Sequence, residues 1–404
     1  MKKKTPLEIY IHIPFCVRKC LYCDFLSFKA EALQREQYVE KLIQEIEELG
    51  KHCEGYEISS IFLGGGTPSL LEAEQTSRIL EAVFRAFCVS EDAEVTTEAN
   101  PGTADEKKLK AYRKSGINRL SLGLQSANDT ELGELGRIHT YEDFLKSFRA
   151  ARTAGFENIN IDLMSALPGQ TLDSYKRTLA MVTELKPEHI SAYSLIVEEG
   201  TPFYARYGDT DAMPSKSRFL PLPDEDTERA MYHVTKEYLS KMGYERYEIS
   251  NYAKPGRICR HNEGYWTGTQ YLGLGLGASS YVWGERFFVE TNLNTYLSYD
   301  RQDFADRKQH REREALTEQA KMEEFMFLGL RLTRGVSSLE FENRFGTPIA
   351  AIYGEALLRC LDDGLMEKME KSRNANGSDT GDIIWRFTEY GTDVSNQVLS
   401  LFLL

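Results

Sequence analysis

The chain has 404 residues, 41% of them hydrophobic and 27% charged, with 62 acidic against 49 basic side chains and a formal net charge of −13. That length predicts two or three domains with sizeable cores. The acidic balance argues against broad binding to a phosphate backbone, which needs clustered Lys and Arg, and no stretch is long and apolar enough to span a bilayer.

The opening M-K-K-K looks like the start of a signal peptide, but residues 7–14 alternate and include Glu8 and His12, so no apolar stretch follows. Leu7, Ile9, Ile11 and Ile13 instead predict a strand that runs straight into Cys16, Cys20 and Cys23. A helix over 35–49 follows, stopped by Gly50, and then a strand over 58–63 that leads into Gly64-Gly65-Gly66-Thr67-Pro68. A helix carries Ile79, Leu80, Val83, Phe84 and Phe87 on its apolar face. Further strands are expected at 94–98, 119–124, 158–163 and 189–197, separated by helices near 104–115, 141–154 and 171–185.

Six βα units in this order predict α/β architecture with a parallel sheet. Six are too few to close an eight-stranded barrel, so a partial (βα)6 TIM-like barrel is expected, with a doubly wound sheet as the alternative. Residues 1–205 form this unit. Residues 206–310 read as an α+β extension, opened by an extended connection with Pro214, Pro221 and Pro223 and carrying a Gly/Tyr-rich region over 243–284. Residues 311–404 read as three helices and two short strands, a winged-helix-like module with no dominant basic stretch. A packing or lid role suits it better than nucleic acid.

The run C-V-R-K-C-L-Y-C places Cys16, Cys20 and Cys23 on one tight loop, at C-x3-C-x2-C spacing. Three soft thiolates suit three corners of a [4Fe–4S] cubane and leave one iron open. A zinc site would want a fourth Cys or His close by, and none follows within two dozen residues. The odd total of seven cysteines, with Cys53, Cys88 and Cys360 read as structural thiols, points to a reducing cytoplasm rather than a disulfide framework. The next strand ends add Gly64–Thr67, Glu98-Ala99-Asn100-Pro101, Gln125-Ser126 and Asp162, so polar or Gly-rich chemistry collects on one rim.

These motifs resemble the radical S-adenosylmethionine (SAM) superfamily. The set Y-I-H-I-P-F-C, F-L-G-G-G-T-P-S, T-E-A-N-P, S-L-G-L-Q-S and L-P-G-Q-T is similar to its coproporphyrinogen oxidase and heme chaperone family, HemN/HemW. The resemblance is dense over 9–200 and looser toward the C-terminus. It implies a [4Fe–4S] cluster on the three cysteines. It also implies a SAM site lined by Tyr10, Tyr22, Gly65, Gly66, Thr67, Glu98, Gln125, Arg137, Asp162 and Ile196. In such families the chemistry belongs to the cofactor and the protein positions it. On residue chemistry alone, Glu98, Gln125 and Asp162 could equally be loop or cap hydrogen-bond partners, and Arg137 either a carboxylate clamp or a surface residue.

Within the family, the oxidase extends its cluster motif with a further cysteine, where this chain has Asp24-Phe25, and has a long segment before the cluster, where this chain has fifteen residues before Cys16. The run His261-Asn262-Glu263-Gly264-Tyr265-Trp266 matches the H-N-x-x-Y-W element of the chaperone branch. The resemblance implies that His261 ligates heme, and an imidazole is a good axial ligand while Tyr265 and Trp266 offer flat apolar faces. On residue chemistry alone, a loop-capping His261 and core aromatics stand beside this reading. Cys259 does not complete a C-x-x-C-H attachment motif. The expected function is a cytoplasmic heme chaperone that carries a cluster and SAM and passes heme to an acceptor apoprotein. The alternatives are a coproporphyrinogen III oxidase, another tetrapyrrole enzyme (anaerobic heme degradation included), and a winged-helix nucleic-acid binder with a redox-sensing cluster. The acceptor and the oligomeric state, a homodimer included, stay open.

Overall fold

The first strand, β1 (Thr5–Ile13), explains how the barrel is built. Its odd residues Leu7, Ile9, Ile11 and Ile13 are fully buried in one apolar cluster with Tyr38, Leu42 and Ile46 of helix α1 (Ala32–Gly50). Successive strand side chains point to opposite faces, so Glu8, Tyr10 and His12 turn to the barrel interior. Glu8 and His12 are also buried there, at 3% and 6% exposure. The sheet therefore has an apolar outer face under helices and a polar inner face.

The computed structural model describes residues 4–208, 219–371 and 381–404; Pro214 of the expected connection lies outside them. The βα alternation continues through β2 (Tyr56–Gly65), α2 (Ala73–Ala86), β3 (Val89–Ala99), α3 (Glu106–Lys114) and β4 (Arg119–Gln125). It goes on with α4 (Asp129–Glu134), α5 (Tyr141–Thr153), β5 (Ile159–Ser165), α6 (Leu172–Glu184) and β6 (His189–Ser194). Strands β1 to β6 pair in sequence order, and every pair is parallel. The ladder does not close. Twelve strands of the described residues form one sheet, in which β1 pairs outward with Gln270–Leu274 and β6 with Asn251–Ala253. This is the partial barrel expected from six units. β6 stops at Ser194, three residues short of the expected 197.

The chain divides into two compact units: residues 1–245, 252–261 and 271–313, and residues 246–251, 262–270 and 314–404. Residues 206–310 therefore do not stand as a unit of their own. Most of them join the larger unit, where Gln270–Leu274, Ser279–Val282 and Glu285–Val289 extend the sheet antiparallel to one another. Gly273 hides the first of these strands from sequence inspection. A Cβ there would meet the Ser279 carbonyl oxygen at 2.2 Å, so the close pairing demands glycine where a strand pattern would show a side chain.

The smaller unit carries the helices Glu318–Gly329, Ser338–Phe345 and Ile349–Asp362. Its sheet has Asp382–Phe387 between Val336–Ser337 and Met366–Lys371, all antiparallel, which is a winged-helix arrangement. Met326, Phe341, Tyr353, Leu357 and Cys360 form its core. Among the described residues no helix is long and apolar enough to cross a membrane.

Candidate functional site

The cysteine loop leaves β1 and is tied at its base. Cys16 N donates to Phe28 O at 3.0 Å, and Phe28 N donates to Pro14 O at 2.9 Å. Arg18 Nη2 donates to Gly136 O at 2.6 Å and Leu21 N to Leu135 O at 3.1 Å, which braces the loop against the chain after α4. Cys16, Cys20 and Cys23 are all free thiols, half-buried. Cys16 Sγ lies 3.5 Å from Thr67 Oγ1, and Arg137 Nη1 lies 3.7 Å from Cys20 Sγ. Burial pushes the Cys23 thiol up, against a backbone hydrogen bond at Phe25 that pulls it down.

The three thiols share an open cavity with the C-terminal ends of the strands. Tyr22, Gly65, Gly66, Thr67, Glu98 and Arg137 line it, as do Gln125 and Asp162. Two expected residues do not. Ile196 is 67% exposed, beyond the end of β6. Tyr10 turns its hydroxyl to His12 Nδ1 at 3.0 Å.

The wall is a connected polar structure. Gly65 N donates to Glu98 Oε2 at 3.1 Å. Gly65 has φ +108°, and a Cβ there would stand 2.3 Å from His12, so only glycine fits this approach. Asn100 Nδ2 donates to Thr67 Oγ1 at 2.9 Å, while Arg137 Nη2 donates to Asn100 Oδ1 and to Gly123 O, each at 2.7 Å. Gln125 Oε1 accepts from the Tyr193 hydroxyl at 3.1 Å. Asp162 accepts from Asn160 Nδ2 at 2.7 Å and from Ser121 Oγ at 3.2 Å. Sequence reasoning placed Asn100 on the polar rim without giving it a role, and did not select Ser121 or Tyr193. The period of two through Ser121, Gly123 and Gln125 is the signal that could have found Ser121.

Burial first, and the Asp162 charge second, push Glu98 up to about 8. Burial raises Asp162 as well, against its hydrogen bonds from Asn160 and Ser121. The donor set fits an iron–sulfur cluster and an amino-acid-bearing cofactor. Three thiols offer soft ligands, glycine backbone offers N–H and C=O groups without a side chain in the way, and a guanidinium stands beside the thiols. Arg137 Nε is buried and meets no acceptor among the described residues. Among those residues no three His, Cys, Asp or Glu side chains gather around one ion; a cubane binds each thiolate on a different iron and needs no such convergence.

His261, implied by the resemblance to be a heme ligand, is packed into the interior of the barrel. It is 2% exposed and lies in the barrel floor. Its Nδ1 is 2.8 Å from Ser60 Oγ and 3.7 Å from Glu8 Oε2, and its ring stacks on Phe62 at 5.1 Å and Tyr10 at 6.5 Å. Burial and then the Arg119 charge pull it down to about 3, so the ring is neutral. Glu94 holds the same segment, accepting from Arg260 N at 3.2 Å, His261 N at 3.4 Å and Cys259 Sγ at 3.4 Å. Glu8, Ser60 and Glu94 lie in the first half or the middle of their strands, whereas the cavity is built at the strand ends. A neutral imidazole flanked by aromatic rings satisfies the polar floor of the barrel.

Comparison with known proteins agrees with this geometry. A sequence model of the radical SAM superfamily matches residues 10–182, and one of the HemN C-terminal domain matches residues 316–372. Heme chaperone HemW of Lactococcus lactis subsp. lactis is 36% identical over 401 residues, covering 99% of this chain and 98% of that protein. Heme chaperone HemW of Haemophilus influenzae is 33% identical over 413 residues, covering 100% and 99%. The solved structure of coproporphyrinogen III oxidase (HemN) from Escherichia coli, a radical SAM enzyme, aligns over 99% of this chain and 90% of its own with a TM-score of 0.81 at 24% identity. That last likeness establishes the fold. Full-length similarity, the superfamily match and the thiol-lined cavity together lead to one conclusion: the chain belongs to the HemW family of the radical SAM superfamily.

Proposed function

We propose that this protein is a cytoplasmic heme chaperone, which binds heme and passes it to an acceptor apoprotein with the help of a [4Fe–4S] cluster and SAM. The observation that carries the reading is the cavity that joins Cys16, Cys20 and Cys23 to Gly65, Glu98 and Arg137. The names of its full-length relatives support the heme part. Seven free cysteines suit a reducing compartment.

The cluster would sit on Cys16, Cys20 and Cys23, and when bound it supplies a single electron and an open iron coordination position. The chain's own residues then do the positioning. Arg137 offers positive charge to a carboxylate while tied to Asn100 and Gly123. Glu98, neutral at pH 7, faces the glycine backbone and can yield its proton to admit a cation. Asp162, held by Asn160 and Ser121, offers acceptors to hydroxyl or amino groups. Ligation of heme by His261, implied by the family resemblance, would require residues 259–261 to leave the barrel floor, and the heme reading does not depend on it.

The test is an anaerobic titration of cluster-loaded protein with heme, followed by transfer to an apo-hemoprotein. Saturable binding and cluster-dependent transfer support the reading. Product formation from coproporphyrinogen under the same conditions, without transfer, would replace it with the oxidase.

A further inference from the structure

Thr67 opens the single turn Pro68–Leu70, at the position where a threonine hydroxyl ordinarily accepts from the backbone of the turn it starts. Here it makes no such cap. Its oxygen accepts instead from Asn100 Nδ2 at 2.9 Å and lies 3.5 Å from Cys16 Sγ. Thr67 is 3% exposed, so this hydroxyl is largely closed to solvent. Asn100 is pinned in turn. Its N–H donates to Ser69 Oγ at 3.3 Å, and its carbonyl accepts from Thr103 N at 3.1 Å and Thr103 Oγ1 at 2.6 Å. Gly123 leaves room for the amide, since a Cβ there would stand 3.2 Å from Asn100 Oδ1 and 3.4 Å from Arg137 Nη2. The order of donors and acceptors follows from one fact: a guanidinium only donates. Arg137 Nη2, at 2.7 Å, requires the amide oxygen of Asn100 on its side, and that turns the amide nitrogen to Thr67. A hydroxyl that accepts from Asn100 keeps its one hydrogen for another partner. Among the described residues the group at hand is Cys16 Sγ.

We infer that Asn100 is a positioning residue for the iron–sulfur cluster: it aims the Thr67 O–H at the Cys16 thiolate. The inference rests on the cluster reading and deepens it. A hydrogen bond to a cluster sulfur draws off negative charge and eases reduction, and such bonds are one of the levers on cluster potential. The Arg137 guanidinium stands 3.7 Å from Cys20 Sγ, so the run Arg137–Asn100–Thr67 joins the donors at two of the three thiols into one chain. Asn100 is its middle link, and it touches no sulfur itself.

Full-length, cluster-loaded protein without SAM is titrated potentiometrically, and its reduced cluster is measured by pulsed EPR in H2O and in D2O. The parent shows an exchangeable-proton coupling that Thr67→Val removes and Thr67→Ser keeps. Thr67→Val makes reduction about tenfold less favourable, which is about 59 mV for one electron, and Thr67→Ser recovers most of that loss. Asn100→Asp offers Thr67 only acceptors, so the hydroxyl turns to the carboxylate and the coupling is lost with Thr67 still present. The new charge lowers the potential as well. A double-mutant cycle separates the two effects, because the shift caused by Asn100→Asp shrinks in the Thr67→Val background. If Asn100→Asp holds no cluster, Asn100→Ala replaces it; it frees the hydroxyl to rotate, which weakens the coupling and lowers the potential by less. A parent coupling that survives Thr67→Val, or a loaded Asn100 variant with the parent's coupling and potential, overturns the inference and leaves the cluster reading standing. Failure of both Asn100 variants to load gives Asn100 a structural role and overturns it too. A parent that binds no cluster overturns both readings.

Discussion

Arg137 Nη1 meets Cys20 Sγ at 3.7 Å while Nη2 of the same guanidinium donates to Asn100 Oδ1 and Gly123 O. One planar fork thus ties a thiol of the three-cysteine loop to the ends of two strands, β3 and β4. Lysine cannot reproduce this geometry, because its ammonium is a single point charge on a flexible stem. Arg137→Lys is expected to lower SAM affinity by about tenfold, and to shift the cluster potential to more negative values as positive charge beside the thiolates becomes less well placed. Potentiometric titration with equilibrium SAM binding checks both, and an unchanged potential would remove Arg137 from the cluster environment.

The three thiols sit on a loop that is tied at its base by backbone bonds, not by the thiols themselves. Cys16→Ser, Cys20→Ser and Cys23→Ser should each abolish the reconstituted cluster. The melting temperature of the cluster-free protein should stay within about 2–4 °C, as for a small, near-isosteric change at a half-buried site. Iron content, visible absorbance and thermal melts decide this. A cluster that survives all three substitutions sinks the central assignment.

Gly66 gives a sharper test of how the loop is seated. A Cβ there would stand 2.8 Å from Phe15 O and 2.9 Å from Ile13 O and Phe15 N, all of them backbone atoms that cannot swing aside. Gly66→Ala should cost about 1–3 kcal/mol as an overpacked site and should impair cluster loading, because Phe15 adjoins Cys16. Gly55→Ala, with nothing within 4 Å of its Cβ, is the control and should be tolerated. Equal urea midpoints for the two variants would contradict this account.

The sequence made the barrel legible because its outer face repeats Leu7, Ile9, Ile11, Ile13 and the equivalent residues of each later strand under helices. The site was legible where a residue type is rare in a strand end, as with the cysteines, the glycine run and Glu98. Three things stayed hidden. Gly273 interrupts its strand, so no side-chain alternation marks Gln270–Leu274. Asn100 and Ser121 are ordinary residue types whose role arises from partners 33 and 41 positions away, Thr67 and Asp162. His261 meets Ser60 and Phe62, a pairing that depends on β2 lying beside a segment two hundred residues distant.

The buried ring of His261 carries a stability prediction. Removing the ring leaves Ser60 and the Phe62 face without their partner, and His261→Ala should cost about 2–4 kcal/mol. Its folded value of about 3 lies below the ordinary 6.5, so the unfolded chain binds the extra proton. The stability this group contributes is present at neutral pH and is lost as pH falls from about 6.5 through about 3. Buried His139, at about 4, and His310, at about 3, titrate in the same window. His261→Gln should reduce the slope of stability against pH there by up to one proton, leaving the others in place. Urea melts from pH 7 to pH 4 provide the comparison, and superimposable slopes would place His261 outside the core.

Glu98 carries the opposite sign. Its folded value of about 8 lies above the ordinary 4.5, so the folded protein holds a proton that the unfolded chain releases, and stability falls as pH rises across that interval. At pH 7 the carboxyl is neutral, with Gly65 N donating to it. A cationic amino group brought into the cavity favours the carboxylate, pulls the value down and expels the proton. SAM binding at pH 7 should therefore release up to one proton, seen as a binding enthalpy that varies with the ionisation enthalpy of the buffer. The release should fade above pH 8, where Glu98 has already ionised, and should vanish in Glu98→Gln at every pH. A parent enthalpy indifferent to buffer, or a variant that still releases the proton, would show that another group answers the incoming charge.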